Sequence, residues 1–92
     1  MPIKSEGWSL GTLSLMGGFV SPEFQGDVCL YGVSYGDDRR PDGRMVRSSP
    51  IACIEDGMVR TESGSLYELG EVCPDYEKLY PNAKERVLGR TK

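Results

Sequence analysis

Glycine recurs every few residues through the first three quarters of the chain, and this spacing constrains the fold more than any other feature. Twelve of the 92 residues are glycine, and all but one of them precede residue 71. An interior glycine costs a helix about 1 kcal/mol relative to alanine, whereas short strands joined by tight turns accommodate it readily. The sequence therefore predicts a β-rich region over residues 7–70.

The length allows one domain, over residues 1–92, because a second hydrophobic core cannot be built from so short a chain. The sequence has no apolar run near the roughly 18 residues of a membrane span, and its first six residues lack the apolar stretch of a secretory signal. Three widely spaced cysteines fit neither a disulfide framework nor a zinc site. We therefore expect no membrane association and a location in a reducing cytoplasm.

Strand patterns occupy the first half of the chain. We predict a first strand over Trp8–Met16, with a phase slip at Gly11 and Thr12 that reconciles two opposite alternations. A second strand is predicted over Val28–Tyr35, where both faces carry apolar groups. A short extended piece over Met45–Arg47 ends at two serines and a proline.

The clearest local signal is a hairpin. The apolar runs Ile51–Ile54 and Met58–Thr61 flank the dipeptide Asp56 and Gly57, and Asp-Gly between such runs favours a two-residue turn. A second turn leads into Leu66–Leu69, which completes a three-strand meander.

Helical patterns begin after residue 73. Pro74 is tolerated in a first helical turn, acidic residues precede a basic one as the helix dipole favours, and Asn82 is placed to cap a second helix over Ala83–Leu88. We expect the helical segment 74–88 to pack on the sheet through five side chains: Tyr76, Leu79, Tyr80, Val87 and Leu88. The predicted fold class is a β-rich α+β domain, a single twisted antiparallel sheet of about five strands, open or curled toward a small barrel, with a short C-terminal helical segment.

The chain contains no histidine, which removes Ser-His-Asp and Cys-His catalysis and His-ligated metal sites. Cys29 and Cys53 are predicted to be small buried apolar residues on strands. A domain of short strands leaves little room for a deep cleft. We therefore expect no catalytic residues, no metal and no cofactor, and predict that the protein is not an enzyme.

Charge is unevenly distributed. The net charge of −3 is the sum of −1 over residues 1–47, −6 over residues 48–77 and +4 over residues 78–92. The acidic block coincides with the meander, where its acids either form a solvated face or meet a basic surface of a partner protein. The residues expected to contact a partner there are Glu55, Asp56, Glu62 and Glu68.

An arginine-rich loop precedes the meander. Four arginines lie near a proline and an Asp-Gly turn, where they either contact a phosphate, a carboxylate or a partner or neutralise their own acidic neighbours: Arg39, Arg40, Arg44 and Arg47. The partner contacts are expected at Arg39, Arg40 and Arg44. Hydroxyl side chains cluster in the following turns, where they either stabilise the turns by hydrogen bonds to the backbone or bind a small anion. The residues of that alternative anion site are Ser48, Ser49, Thr61, Ser63 and Ser65.

The stretch from residue 61 to residue 70 reads T-x-S-G-S-x-Y-x-L-G and is followed by Pro74, Asp75 and Tyr76. Over roughly residues 42–80 the chain resembles short uncharacterised proteins of bacteria and their phages. The resemblance implies a meander and carries no activity. Small acidic domains of that source class often inhibit by binding, and anti-CRISPR proteins are among them.

The leading hypothesis is a non-enzymatic protein-binding module, an inhibitor from a phage or mobile element, such as an anti-CRISPR protein, that binds a host defence protein in the cytoplasm of a bacterial host cell. That partner is a protein, for example one that binds nucleic acid; the mild acidity argues against direct nucleic-acid binding by this chain. Two alternatives stay open. One is a small-anion or nucleotide binder that uses the hydroxyl-rich turns and the arginine loop. The other is a structural subunit whose sheet edge pairs with another copy.

Overall fold

The computed structural model of the chain describes residues 2–12, 18–24 and 27–89. Five strands precede two short helices: β1 (Ile3–Gly11), β2 (Cys29–Tyr35), β3 (Arg44–Glu55), β4 (Met58–Thr61), β5 (Leu66–Leu69), α1 (Pro74–Leu79) and α2 (Ala83–Leu88). The predicted class, a β-rich α+β fold of about five strands with a short helical segment near the C-terminus, is confirmed. None of the helices in these ranges has the length and apolar character needed to cross a membrane.

The strands pair in chain order, and the sheet closes into a ring because β1 also pairs with β5. Consecutive strands are antiparallel. The closing pair is parallel, with Ile3 opposite Tyr67 and Ser5 opposite Leu69. An odd number of strands that alternate in direction leaves the first and the last pointing the same way, so the closing pair is parallel.

The first strand begins earlier than predicted. β1 starts at Ile3 instead of Trp8 and ends at Gly11, and residues 13–16 of the predicted strand lie outside the described residues. The sequence signal is weak at this start because Ser5, a small polar residue, occupies a buried position where an apolar side chain is expected.

A β-bulge divides β1, and it lies at Gly7 instead of the predicted Gly11 and Thr12. Glu6 is opposite Val33, but the next pair is Ser9 with Tyr31, so β1 has one extra residue between them. Gly7 has a φ of 60°, in the left-handed region that favours glycine. Because of the bulge, inward-facing residues have odd numbers before it and even numbers after it, where Trp8 and Leu10 are fully buried.

The third strand is continuous, so the predicted break between Met45–Arg47 and Ile51–Ile54 is wrong. β3 pairs with β2 as far as Pro50 and with β4 from Ile51 onward. An extra β3 residue near Ser48 interrupts the ladder with β2. The Ser48 hydroxyl accepts the Leu30 N–H at 2.9 Å, which satisfies a donor that the irregular ladder would otherwise leave buried.

The predicted hairpin at Asp56 and Gly57 is confirmed. Glu55 is opposite Met58, which leaves a two-residue loop between β3 and β4. Both loop residues have positive φ, 54° at Asp56 and 72° at Gly57, as a type I′ turn requires. The turn depends only on these neighbouring residues, so it could be predicted locally.

The helices close one end of the ring through Tyr76. This side chain is fully buried, and its hydroxyl donates to the Val20 carbonyl at 2.5 Å. Its ring lies 5.2 Å from that of Phe19 in an edge-on arrangement and 6.1 Å from that of Trp8. Aromatic pairs at these separations stabilise beyond the area that they bury.

Four of the five predicted helix contacts are right. Tyr76 and Val87 are buried, and Tyr80 and Leu88 are partly buried against the core, but Leu79 is 62% exposed. Ala83 is buried instead. Asn82 precedes α2 as predicted, yet its side chain makes no capping hydrogen bond; the Glu77 carboxylate accepts the N–H groups of Asn82 and Ala83 at 2.9 and 3.3 Å.

Candidate functional site

The arginine loop, residues 36–44, is organised around the carboxylate of Asp37. This residue is only 7% exposed. Its carboxylate accepts the backbone N–H of Arg39 at 3.0 Å and the Nε of the same residue at 3.1 Å, and Arg40 Nη1 lies 3.6 Å away. These contacts, first of all the Arg39 side chain, hold the pKa of Asp37 below its usual value.

A second aspartate supports the other side of the loop. Asp42 Oδ1 accepts the Gly36 N–H at 2.9 Å, and the Gly43 N–H donates to the Ser34 carbonyl at 2.9 Å. Gly36 and Gly43 both have positive φ, 87° and 84°. The loop backbone is therefore held in one conformation and loses little further freedom on binding a partner.

Beyond the loop, β3 presents an uncovered outer face. Its buried residues Val46 and Ser48 face inward, so Met45 and Arg47 face outward. Met45 is 68% exposed. The side chains of Arg44 and Arg47 form neither a hydrogen bond nor an ion pair with any residue in the described ranges. Met45 thus shares the outward face with Arg47, and Arg44 is exposed at the start of the strand.

These residues line an open groove of about 500 Å³. Its walls are formed by Arg39, Arg40, Pro41, Arg44, Met45, Val46 and Arg47. No acidic side chain lines it, and Asp37 offsets the charge of only one of the four arginines. The groove is therefore a cationic surface on a chain whose net charge is −3.

The structure brings together the predicted arginines but not the predicted acids. Glu55 and Asp56 lie at one end of β4 and Glu62 at the other, about 13 Å apart for a four-residue strand. Glu55 is bound to Arg60 at 2.6 Å, which lowers the pKa of its carboxyl. Glu68 lies opposite Lys4 in the ladder between β5 and β1. The acids are therefore dispersed charges and form no single surface.

The hydroxyl side chains mostly bond to one another. Ser49 Oγ and Ser63 Oγ lie 3.0 Å apart, and Thr61 Oγ1 is 3.2 Å from Ser63 Oγ. Ser48 is buried and holds the β2 backbone. Only Ser65 contacts the arginine loop, through a 3.1 Å hydrogen bond from Arg39 Nη2. These residues therefore stabilise the turns, and one of them links the turns to the loop.

The cysteines differ in burial. Cys29 is fully buried as predicted, whereas Cys53 is only partly buried, because its position on β3 faces the outside of the ring. Burial raises the pKa of the Cys29 thiol, the opposite of what an activated thiol needs. Across residues 2–12, 18–24 and 27–89, no group of three potential Cys, Asp or Glu ligands could hold a metal ion.

Met45 and Arg47 were absent from the predicted contact residues. Their alternation with Val46 and Ser48 is the signal that marks an outward face, but the adjacent apolar residues Met45 and Val46 leave its phase ambiguous in the sequence. Pairing with β2 resolves the phase, since Val46 lies opposite buried Gly32 and Met45 opposite Val33.

The chain matches no family model, no curated protein and no solved structure. The resemblance over residues 42–80 therefore stays a prediction, and the chemistry of the arginine groove carries the functional argument.

Proposed function

We propose that this chain is a non-enzymatic protein-binding module, an inhibitor from a phage or mobile element that occupies a functional surface of a host protein, as anti-CRISPR proteins do. One observation carries the proposal: Met45 is 68% exposed beside the available arginines Arg44 and Arg47. Methionine and arginine are enriched in the contact regions of protein interfaces, where exposed lysines and acids are depleted.

The rigidity of the arginine loop also supports protein binding. A partner meets a surface whose backbone is already held by Asp37 and Asp42, so ordering the loop costs little of the binding free energy. Arg44 and Arg47 have no internal carboxylate to release, unlike Arg39. They are therefore the better contacts for an acidic partner surface.

A pull-down from bacterial lysate tests the proposal. We expect the double variant Arg44→Glu/Arg47→Glu to lose a host protein that the unchanged chain retains, because like charges then oppose the partner. The matched control is Lys78→Glu/Lys84→Glu, which makes the same charge change at exposed positions on the helices. Retention of the same host proteins by both variants would contradict the proposal. Glu62→Lys/Glu68→Lys separately measures whether the dispersed acids contribute.

A second candidate function rests on the bond between Arg39 and Ser65, which joins the arginine loop to the hydroxyl-rich turns. An anion or nucleotide in the groove would stabilise the fold by RT ln(1 + [L]/Kd), about 2.7 kcal/mol at one hundred times Kd. Thermal unfolding with nucleotides and inorganic phosphate measures this, and an unchanged Tm at millimolar ligand would remove this candidate.

Edge pairing between copies, the remaining alternative, gains no support from the fold. Each of the five strands already has two neighbours within the ring, although β3 pairs with β2 only as far as Pro50 and with β4 only from Ile51 onward. None of β1 to β5 therefore offers an edge that is free along its whole length and could recruit a second copy by backbone hydrogen bonds.

A further inference from the structure

Met45 separates two depressions of different chemistry on the outer face of the sheet. On one side is the arginine groove. On the other is an apolar cleft of about 170 Å³, lined by Ser9, Leu10, Gly18, Phe19, Tyr31 and Met45. Because Met45 lines both depressions, a single bound segment can contact both at once.

The volume of the cleft matches one large side chain. An apolar cavity of about 150 Å³ in another protein holds a benzene molecule, so a cleft of about 170 Å³ accommodates one phenyl ring or branched aliphatic group. Its apolar side-chain walls come from Phe19 and Met45, while the Tyr31 hydroxyl donates a hydrogen bond to the Thr12 carbonyl at 3.3 Å. The cleft therefore favours an apolar anchor.

The groove favours carboxylates next to that anchor. Arg44 and Arg47 are available for bidentate pairing with a carboxylate, a geometry that arginine supports and lysine does not. Met45 and Arg47 are two residues apart on one face of β3, which places their Cα atoms about 7 Å apart. In an extended ligand, residues two apart have the same spacing.

We infer that the partner presents an extended acidic segment in which one aromatic or branched aliphatic residue enters the cleft and a carboxylate two residues away pairs with Arg47, in the groove that Arg44 also lines. The inference rests on the proposed protein-binding function and specifies the partner's chemistry. Since every strand of the ring already has two neighbours, we expect the segment to dock through its side chains instead of adding a full-length strand.

A protein segment fits this surface better than a nucleic acid. The acidic side chains of Asp38 and Asp42 lie in the same loop as the arginines, and the chain as a whole is negative. Both features oppose a continuous phosphate backbone, whose binding depends on many simultaneous cationic contacts. Two or three carboxylates with one apolar anchor need only the local groove and cleft.

Fluorescence anisotropy with short labelled peptides tests the inference. The probe has phenylalanine at its centre and aspartate two residues to either side, with glycine elsewhere. Three controls replace aspartate by asparagine, replace phenylalanine by alanine, or move the aspartates next to the phenylalanine. We expect the probe to bind at least about tenfold more tightly than each control, and a single-stranded thymidine oligonucleotide to bind more weakly than the probe. Equal binding of the probe and any control, or tighter binding of the oligonucleotide, would overturn the inference.

Substitutions in this chain test whether the labelled peptide binds at this face. Arg47→Gln should weaken the probe about tenfold and flatten the dependence of its affinity on salt, because one charge pair is lost. Met45→Asp should weaken it at least as much. Lys78→Gln, at an exposed position on α1, should leave the affinity within about twofold. An unchanged affinity of Arg47→Gln would overturn the inference.

The two proposals can fail separately. If a host protein is retained by the chain and lost by Arg44→Glu/Arg47→Glu, while none of the peptides binds, protein binding stands and the acidic anchored segment is wrong. If no variant changes what the lysate yields, the proposed function itself is wrong.

Discussion

Two buried serines on neighbouring strands differ in their side-chain hydrogen bonds, and this difference decides what each contributes. Ser34 is 2% exposed, and its Oγ has no hydrogen-bond partner among the described residues. Ser48 is 5% exposed, and its Oγ accepts the Leu30 N–H and donates to the Ser49 carbonyl. A buried polar group without a partner costs stability, whereas a paired one prevents a larger loss.

We therefore expect opposite outcomes from the same substitution. Ser48→Ala should destabilise the fold by about 1–3 kcal/mol, because the Leu30 N–H is left buried without an acceptor. Ser34→Ala should be neutral or stabilising by up to about 1 kcal/mol. Urea unfolding of both variants measures the difference, and a loss in Ser34→Ala as large as in Ser48→Ala would show that Ser34 is in fact paired.

At the scale of elements, the arginine loop depends on an ionised Asp37. Its pKa lies below the ordinary value of 3.8 because Arg39 stabilises the charged carboxylate. A depressed pKa contributes stability that is complete well above pH 4 and is lost as the pH falls through the lowered value. The loop therefore weakens in acid and not in base.

Asp37→Asn should remove that contribution and lower the free energy of unfolding at neutral pH by about 1 kcal/mol. The loss is modest because the partner arginines are largely exposed to solvent. Between pH 5 and pH 2, its free energy of unfolding should fall less steeply than that of the unchanged chain. Asp38→Asn makes the same change at the exposed neighbouring position and serves as the control for the loss of one negative charge from the loop. Parallel acid dependence in all three proteins would contradict this account of the loop.

At the scale of the whole molecule, the helices complete the hydrophobic core, because Tyr76 of α1 covers one end of the ring. This residue packs on Trp8, Phe19 and Tyr80 and bonds to the Val20 carbonyl. A 92-residue domain has roughly 5–14 kcal/mol of stability in total. Loss of a large buried aromatic side chain costs about 3–5 kcal/mol.

We expect Tyr76→Ala to lower Tm sharply and to leave part of the protein unfolded at room temperature. Trp8, fully buried against Tyr76, reports this as a red shift of its fluorescence. Leu79→Ala, an aliphatic truncation on the same helix at a 62% exposed position, should change stability by less than about 0.5 kcal/mol. Equal losses of stability in the two variants would mean that the buried Tyr76 side chain contributes no more than an exposed side chain of the same helix.

Local signals account for the parts of the fold that the sequence predicted. The Asp56 and Gly57 turn and the start of α1 at Pro74 each depend on a few consecutive residues. The bulge at Gly7 does not, because its position follows from the pairing of β1 with β2. The same holds for the candidate site: the arginine loop is a local charge pattern, but the exposure of Met45 depends on pairing with β2.

By itself, the sequence determined the β-rich class, the hairpin, the helical C-terminal segment and the arginine loop, because glycine spacing, turn chemistry and charge act over a few residues. Only the tertiary structure decided that five strands close through a parallel pair, that the acids are dispersed, and that Met45 joins a cationic groove to an apolar cleft. These features depend on register between residues far apart in the chain, and a shift of one residue would exchange the inner and outer faces.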